Sequence, residues 1–502
     1  GHSGPAGSGP MRDSMFHIER AETSTLQNQI RERLVEAILS GQLPSGAPIP
    51  STRAMAKRLN VSRNTVMLAY QALAADGYLE SRERSGFYVS PELRDSMVAQ
   101  AGAGAGADDR DIERVTWEKR LRRQPSSQEN ITKPKNWHDC PYPFIYGQAD
   151  EALFPVADWR DCTRQAMSRK WLDAWTDDRF NEDDPMLVEQ LRQRVLIRRG
   201  IMASGDEILV TLGAQNALYL LSSLLVKPET PVAIENPGYP DVRNIFRLMS
   251  ADVRTAPVDA EGVRVDTLAD ASMVYVTPSH QFPTNATMSL ERRYALLQWA
   301  TDNDALIIED DYEFETNYRG TPTPALMSLT ASERVLYVGS LSKSLMPGLR
   351  MGFLVGPRDL IAEARALRRL MLRHPPGNNQ RVVALFLALG HHDAVVSRLH
   401  RAYSARWKTL GAALETHFPG WARAPGFGGT SFWLRGPEGL DSRQLADDAL
   451  EDGIVIEPGG IYFDDPAEGR RYLRLGFSSI PEERIEPGIA LLAGIARRQV
   501  SI

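Results

Sequence analysis

From about Ile145 onward, short runs of β-branched and apolar residues alternate with longer stretches patterned as helices. The runs fall at residues 208–210, 232–234, 273–276, 306–308, 335–338 and 353–355. Each is nearly continuous in apolar character, as expected of strands covered on both faces of a parallel sheet. Strands and helices in alternation leave an α/β architecture with helices covering the sheet as the economical solution. In such a sheet, ligands bind outside the carboxyl ends of the strands. Most of the runs end in Gly, Pro, Asp or Ser, so the residues just after them are where chemistry is expected.

The chain of 502 residues is too long for one ordinary core. Residues 1–10, GHSGPAGSGP, read as the remnant of an expression tag and are set aside. Residues 15–90 form a compact, helix-patterned unit. Residues 91–134 turn to Ala, Gly and charge, with alternating Ala and Gly over 101–107, and read as a flexible linker. Residues 135–502 carry the α/β pattern. A net charge of -6 argues against attraction of the whole chain to nucleic acid, so any such contact must come from a local patch. Cys140 and Cys162 make no disulfide framework, and neither has partners at zinc-site spacing. His391 and His392 read as a helix-end pair, and no metal site is expected. The absence of a signal pattern or a bilayer-length apolar run gives a cytoplasmic expectation.

In the N-terminal unit, Ile30, Leu34 and Ile38 give a first helix an apolar stripe, ended by Gly41 and Pro44. The string IPSTRAMAKRLNVSRNTVMLAYQAL reads as a helix-turn-helix. Ser51 caps a helix whose Met55 and Leu59 point inward, Asn60 and Val61 turn, and Ser62 caps the next helix. Val66, Tyr70 and Leu73 form its buried face, leaving Arg63, Asn64 and Thr65 facing out in its first turn. Residues so placed on a recognition helix touch base edges or phosphates. GYLESRERSGFYV reads as a hairpin with a turn at Arg84–Gly86 and with Arg82 and Arg84 near its tip. PSTRAMAKRLNVSRNTV and the hairpin resemble the GntR family of winged helix-turn-helix regulators. The resemblance implies that Arg53, Ser62, Arg63, Asn64, Thr65 and the wing turn near Gly86 face double-stranded DNA.

The strongest chemical signal is GSLSKSLMPGLRMGF. A lysine after a buried strand, with serines before it and an arginine seven residues on, suits a phosphate-bearing aldehyde. Lys343 would form the Schiff base, and Ser340 and Arg350 would hold the phosphate. In IIEDDYEF, Asp310 could pair with a pyridine nitrogen and Tyr312 could donate to a phenolate oxygen. In TLGAQNAL, the backbone amides of Gly213, Ala214 and Gln215 would cradle the phosphate at a helix N-terminus. Tyr239 in ENPGYP could stack on the ring. Arg474 in YLRLGFS could clamp a carboxylate.

In this order the motifs resemble a fold-type I aminotransferase, and with the N-terminal unit the chain is similar to the MocR subfamily of GntR regulators. The resemblance implies a multidomain protein: an α+β winged helix-turn-helix, then an α/β pyridoxal 5'-phosphate domain with a mostly parallel sheet and a smaller C-terminal α+β part. It implies Lys343 for the Schiff base, Asp310 for the ring nitrogen and Tyr312 for the phenolate. Tyr239 would stack, Ser340 and Arg350 would take the phosphate, and Arg474 the effector's carboxylate. A head-to-tail homodimer is also implied.

One departure is Phe282 in HQFP, where aminotransferases carry an Asn that hydrogen-bonds the phenolate oxygen. Efficient turnover is therefore not expected, and a sensor that forms an external aldimine with an amino-acid-like effector is. A working aminotransferase and an inert dimerisation scaffold are the alternatives. Asp241, two residues after Tyr239, could favour a second amino group on the effector. The strings WTDDRFNEDDPM and RHPPGNNQ are similar to those of regulators of ectoine and hydroxyectoine utilisation, whose effector is of the 2,4-diaminobutyrate kind.

Overall fold

The computed structural model describes residues 24–83, 85–93, 114–422 and 427–502. Residues 1–10, Arg84 and residues 94–113 of the expected linker lie outside the described residues. The chain divides into two compact units between Leu121 and Arg122.

In the N-terminal unit, each helix starts where a hydroxyl can accept a free amide, the usual role of a cap. Thr25 accepts from Asn28 N at 3.3 Å ahead of Leu26–Leu39. Ser51 accepts from Ala54 N at 3.2 Å ahead of Thr52–Leu59, and Ser62 from Thr65 N at 3.0 Å ahead of Arg63–Ala75. Asn60 adopts the left-handed conformation (φ 53°) that ends the second helix. The inward faces meet as expected: Ile30, Leu34, Ile38, Met55, Val66, Tyr70 and Leu73 are fully buried. The hairpin pairs Leu79–Arg82 with Gly86–Val89.

The large unit is built on an eight-stranded sheet. In spatial order its strands are Ile208–Thr211, Gly352–Val355, Val335–Ser340, Leu306–Asp310, Met273–Val276, Pro231–Asn236, Asp252–Asp259 and Gly262–Val263. All six expected runs are strands. The sheet is mixed and mostly parallel: Gly352–Val355 runs antiparallel to both neighbours, and the last two strands form an antiparallel hairpin. The expected run at 353–355 therefore departs from the parallel direction, and Asp252–Asp259 is a strand that the apolar pattern did not mark, because its residues are largely half-buried or exposed. A smaller lobe holds a three-stranded sheet of Ser431–Arg435, Tyr472–Gly476 and Glu457–Pro458, flanked by the helices Ser442–Glu451 and Glu482–Ala496. Among the described residues no single helix is long and apolar enough to cross a membrane.

The end of the expected linker is tied down. Gln128 donates to Asn244 O at 2.9 Å, and Asn244 donates to Glu129 O at 2.8 Å and Asn130 Oδ1 at 3.0 Å. The linker reading thus needs correction over residues 128–130, whose backbone and side chains hydrogen-bond to the helix Pro240–Leu248. The helix His391–His417 begins at the expected histidine pair, and His392 is buried against Ser344 Oγ at 2.8 Å. Burial lowers its pKa to about 4, so it is neutral at ordinary pH.

The acids of the NEDDP string hold helices to the sheet. Asp183 accepts from Arg368 Nη1 at 2.7 Å and from Val210 N at 2.9 Å, and pairs with Arg365 at 3.1 Å. Asp184 caps Pro185–Gln190 and pairs with Arg381 at 2.7 Å. Arg368 is fully buried, so removing its partner strands a charge in the interior. Asp183→Ala is expected to cost about 3–5 kcal/mol in urea unfolding. Glu182→Ala, at an exposed carboxylate 3.5 Å from Arg179, is expected to stay within about 1 kcal/mol of the parent.

Candidate functional site

The sheet delivers its polar residues to one edge. Gly213 follows the strand Ile208–Thr211, Tyr239 follows Pro231–Asn236, Thr277 follows Met273–Val276, Asp310 ends Leu306–Asp310, and Lys343 follows Val335–Ser340. Between them lies a chamber of about 240 Å³. Its lining includes Ala214, Gln215, Tyr239, Asp241, Asp310, Tyr312, Ser340, Lys343 and Arg350 among the expected residues, together with Tyr146, Tyr275, Thr277 and Phe282.

At one end, the helix Ala214–Leu225 points its N-terminus at the chamber, with Gly213 as its cap at φ 97°. The first amides of a helix have no partner within it and form a ready anion site. Arg350 donates through Nη2 to Leu212 O at 2.9 Å, and a Cβ at residue 213 would lie 2.6 Å from that same nitrogen. Glycine is favoured there by the backbone angle, and a side chain would also push the Arg350 guanidinium aside.

Asp310 is nearly fully buried. Its Oδ2 accepts from Tyr275 Oη at 2.6 Å, while Oδ1 is buried with no partner. Burial pushes its pKa up to about 6; the Tyr275 hydrogen bond opposes this, the Asp311 charge adds to it, and Lys343 opposes it. A buried carboxylate oxygen without a donor is costly unless a ligand supplies one. Tyr239 donates to Asp241 Oδ2 at 3.2 Å, and burial raises the pKa of Asp241.

Phe282 lies among four tyrosines, edge-on to Tyr146, Tyr239, Tyr312 and Tyr462 with centroids 5.4–5.9 Å away. Tyr146 faces two cations: Lys343 Nζ sits 4.6 Å from its ring centre and Arg474 Cζ 5.4 Å. Arg474 also lies 5.2 Å from the Phe282 ring and is ion-paired to Glu457 at 3.0 Å. It is set behind these rings rather than on the chamber wall.

Tyr146, Tyr275, Glu457 and Tyr462 were missed from sequence. Tyr275 alone left a signal, since a tyrosine inside a buried strand needs a partner for its hydroxyl. The others sit in a loop, a two-residue strand and a single 3-10 turn, none with a pattern.

In the N-terminal unit, Arg53, Ser62, Arg63, Asn64, Arg82 and Gly86 are exposed and Thr65 is half-buried. The Ser62 and Thr65 hydroxyls bond each other at 2.7 Å, and Arg82 pairs with Glu80 and lies 4.2 Å over the Tyr88 ring. Gly86 takes φ 104° in the turn.

A winged helix-turn-helix joined to a sheet with this chamber defines a DNA-binding regulator whose large domain is built as an aminotransferase. Residues 26–89 match "Bacterial regulatory proteins, gntR family", and residues 181–492 match "Aminotransferase class I and II". The chain is 43% identical over 483 residues to the HTH-type transcriptional regulator TauR of Rhodobacter capsulatus, covering 96% of this chain and 99% of that protein. It is 29% identical to the probable rhizopine catabolism regulatory protein MocR of Rhizobium meliloti, over 95% of this chain and 94% of that protein. Among solved structures, LysN, the α-aminoadipate aminotransferase of Thermus thermophilus, superposes with a TM-score of 0.69 at 25% identity, covering 76% of this chain and 99% of that one. The chain belongs to the MocR-type regulators of the GntR family.

The cofactor of this fold is pyridoxal 5'-phosphate, and the residues present fit it. The unpaired Asp310 oxygen suits a protonated ring nitrogen, the bare Gly213 turn beside Arg350 suits a phosphate, and Lys343 suits the aldehyde.

Because the folded-state pKa of Asp310 lies above the ordinary carboxylate value, its contribution favours the fold at low pH and is lost as pH rises through about 6. In cofactor-free protein, Asp310→Asn is expected to be more stable than the parent above that pH, on the order of 2–3 kcal/mol, with the gap closing below pH 4. Added cofactor should raise the melting temperature less in the variant. Thermal unfolding across pH 4–8, with and without cofactor, measures both.

Proposed function

We propose that this chain is a ligand-switched transcriptional regulator whose large domain senses an amino-acid-like compound. The observation that carries the reading is one chamber lined by Lys343 and by Asp310, whose Oδ1 has no partner. Lys343 would hold the cofactor's aldehyde carbon and Asp310 its ring nitrogen. The amides of Gly213, Ala214 and Gln215, with Ser340 and Arg350, would take the phosphate. Tyr239 would lie against the ring, and Tyr312 would serve the phenolic oxygen. When bound, the cofactor supplies an electrophilic carbon that exchanges the lysine amine for that of an effector.

Arg474 would meet the effector's carboxylate and Asp241 a second amino group, which points to a short diamino acid of the 2,4-diaminobutyrate kind, as in ectoine breakdown. An effector joining Lys343 to Arg474 would pass beside Tyr146, whose ring centre lies 4.6 Å from Lys343 Nζ and 5.4 Å from Arg474 Cζ. A ligand that binds two conformations differently shifts their populations, and this is all the coupling to DNA requires. Arg53, Arg63, Asn64 and Thr65 would meet the operator, with Arg82 and the turn at Gly86 as the wing, in a head-to-tail homodimer.

A second reading, a working aminotransferase, draws on the likeness to LysN. Phe282 weighs against it, having no hydrogen-bonding group for the cofactor's phenolic oxygen.

Titration of cofactor-loaded protein with 2,4-diaminobutyrate, taurine, γ-aminobutyrate and common amino acids tests both readings by visible absorbance. The expected outcome is a band shift with one amine and no accumulating keto product. Borohydride should fix the cofactor's mass on the Lys343 peptide, and Lys343→Ala should lose band and label together. Sustained turnover with a keto acid would establish the enzyme instead. A clear response to another amine, with none to diaminobutyrate, would remove the diamino reading.

A further inference from the structure

Arg474 does not meet an incoming anion alone. In the antiparallel pairing of Glu457–Pro458 with Tyr472–Gly476, Glu457 stands directly opposite Arg474. Arg474 Nη1 donates to Glu457 Oε2 at 3.0 Å, and the same oxygen accepts from Tyr462 Oη at 2.8 Å. Both side chains of the pair are almost wholly buried, at 4% and 7% exposure. The Nε of Arg474 is buried without a partner. The guanidinium is therefore held at one corner, with a second donor left unused.

A second acid adds to the field. Glu313 is buried, accepts from Thr430 Oγ1 at 2.6 Å, and acts electrostatically on Arg474. Burial pulls the Arg474 pKa down, but Glu457 and then Tyr462 and Glu313 outweigh it and hold the guanidinium charged. Arg474 thus stands beside two buried carboxylates, and the other cation acting on Glu457, Lys133, is exposed to solvent. A single negative charge can still be held there by the spare N–H. A second negative charge on the same ligand would meet the buried carboxylates of Glu457 and Glu313 with only the solvent-screened charge of Lys133 to oppose them, and like charges brought together away from water are strongly disfavoured.

We propose that Glu457 sets the effector class by charge. It admits compounds with a single acidic group and excludes dianionic ones such as dicarboxylic or phosphonic amino acids. Glu457 acts through Arg474, as a positioning residue and as a repulsive element against the wrong ligand. The inference rests on the reading of Arg474 as the partner of the effector's carboxylate.

The test compares two acids on a four-carbon skeleton, 2-aminobutyrate and aspartate, with 2,4-diaminobutyrate as a third ligand. Each is titrated into the cofactor-loaded full chain by calorimetry, with absorbance alongside. The parent protein is expected to bind aspartate on the order of a hundredfold more weakly than 2-aminobutyrate, the effect of an unmatched buried charge. Glu457→Gln, which keeps the shape and removes the charge, should narrow that ratio to about tenfold or less. Tyr462→Phe keeps the charge and should keep the discrimination. An unchanged ratio in Glu457→Gln overturns the proposal, and so does a parent protein that binds aspartate as well as 2-aminobutyrate. If Glu457→Gln does not fold, the ratio in the parent and in Tyr462→Phe decides. If monoanionic and dianionic amines alike leave both signals flat, the sensor reading itself fails, an outcome distinct from loss of selectivity alone.

Discussion

Two aspartates follow one another at the end of the strand Leu306–Asp310, and the chamber depends on their being treated in opposite ways. Asp311 is fully buried and meets Arg199 through both oxygens, at 2.5 and 3.2 Å. Ser279 Oγ at 2.5 Å and Tyr337 Oη at 2.6 Å complete its shell. Burial pulls its pKa upward, but Arg199 and these hydroxyls hold it below the usual carboxylate range. Alternation along the chain turns Asp310 to the other side, where Tyr275 satisfies one oxygen and nothing satisfies the other. The fixed pair at Asp311 anchors the strand end, so the unpaired oxygen of Asp310 has a defined position. A site built on a rigid element can afford one unmet polar atom, because the rest of the network does not relax to cover it.

The second constraint is aromatic. Phe282 brings no hydrogen bond to the chamber, and it makes edge-on contacts with tyrosines from four separate segments. Gln281 supports the same loop, donating to Pro237 O at 2.8 Å and to Phe282 O at 2.7 Å while accepting from Thr284 N at 3.1 Å. The loop before Tyr239 and the loop carrying Phe282 are thus tied together, which gives the HQFP string a packing role. His280, in the same string, is buried and lowered to about 4, so it adds no charge there at neutral pH.

The N-terminal unit and the motifs around the cofactor chamber were legible because local chemistry sets them. Ser51 and Ser62 cap helices wherever the following residues favour a helix, and the four-residue spacing of Ile30, Leu34 and Ile38 can bury only one face. Asp310, Tyr312 and Lys343 were legible for a related reason. They follow strands whose apolar runs are plain, and the end of a covered strand is where such a sheet exposes polar groups.

What the sequence determined by itself was the helices and hairpin of the N-terminal unit, the six buried strand runs of the large sheet and the identity of the residues at their ends, since these follow from periodicity and from turn chemistry within a few residues. Only the tertiary structure decided the partnerships. That Arg474 faces Glu457 depends on the register between two strands, that Asp183 holds Arg368 joins positions 185 apart, and that Tyr146 stands beside both Lys343 and Arg474 depends on where a patternless loop is packed. These are long-range pairings between buried charges and rings. Their geometry is set by which elements pack together, a property that no local window of residues contains.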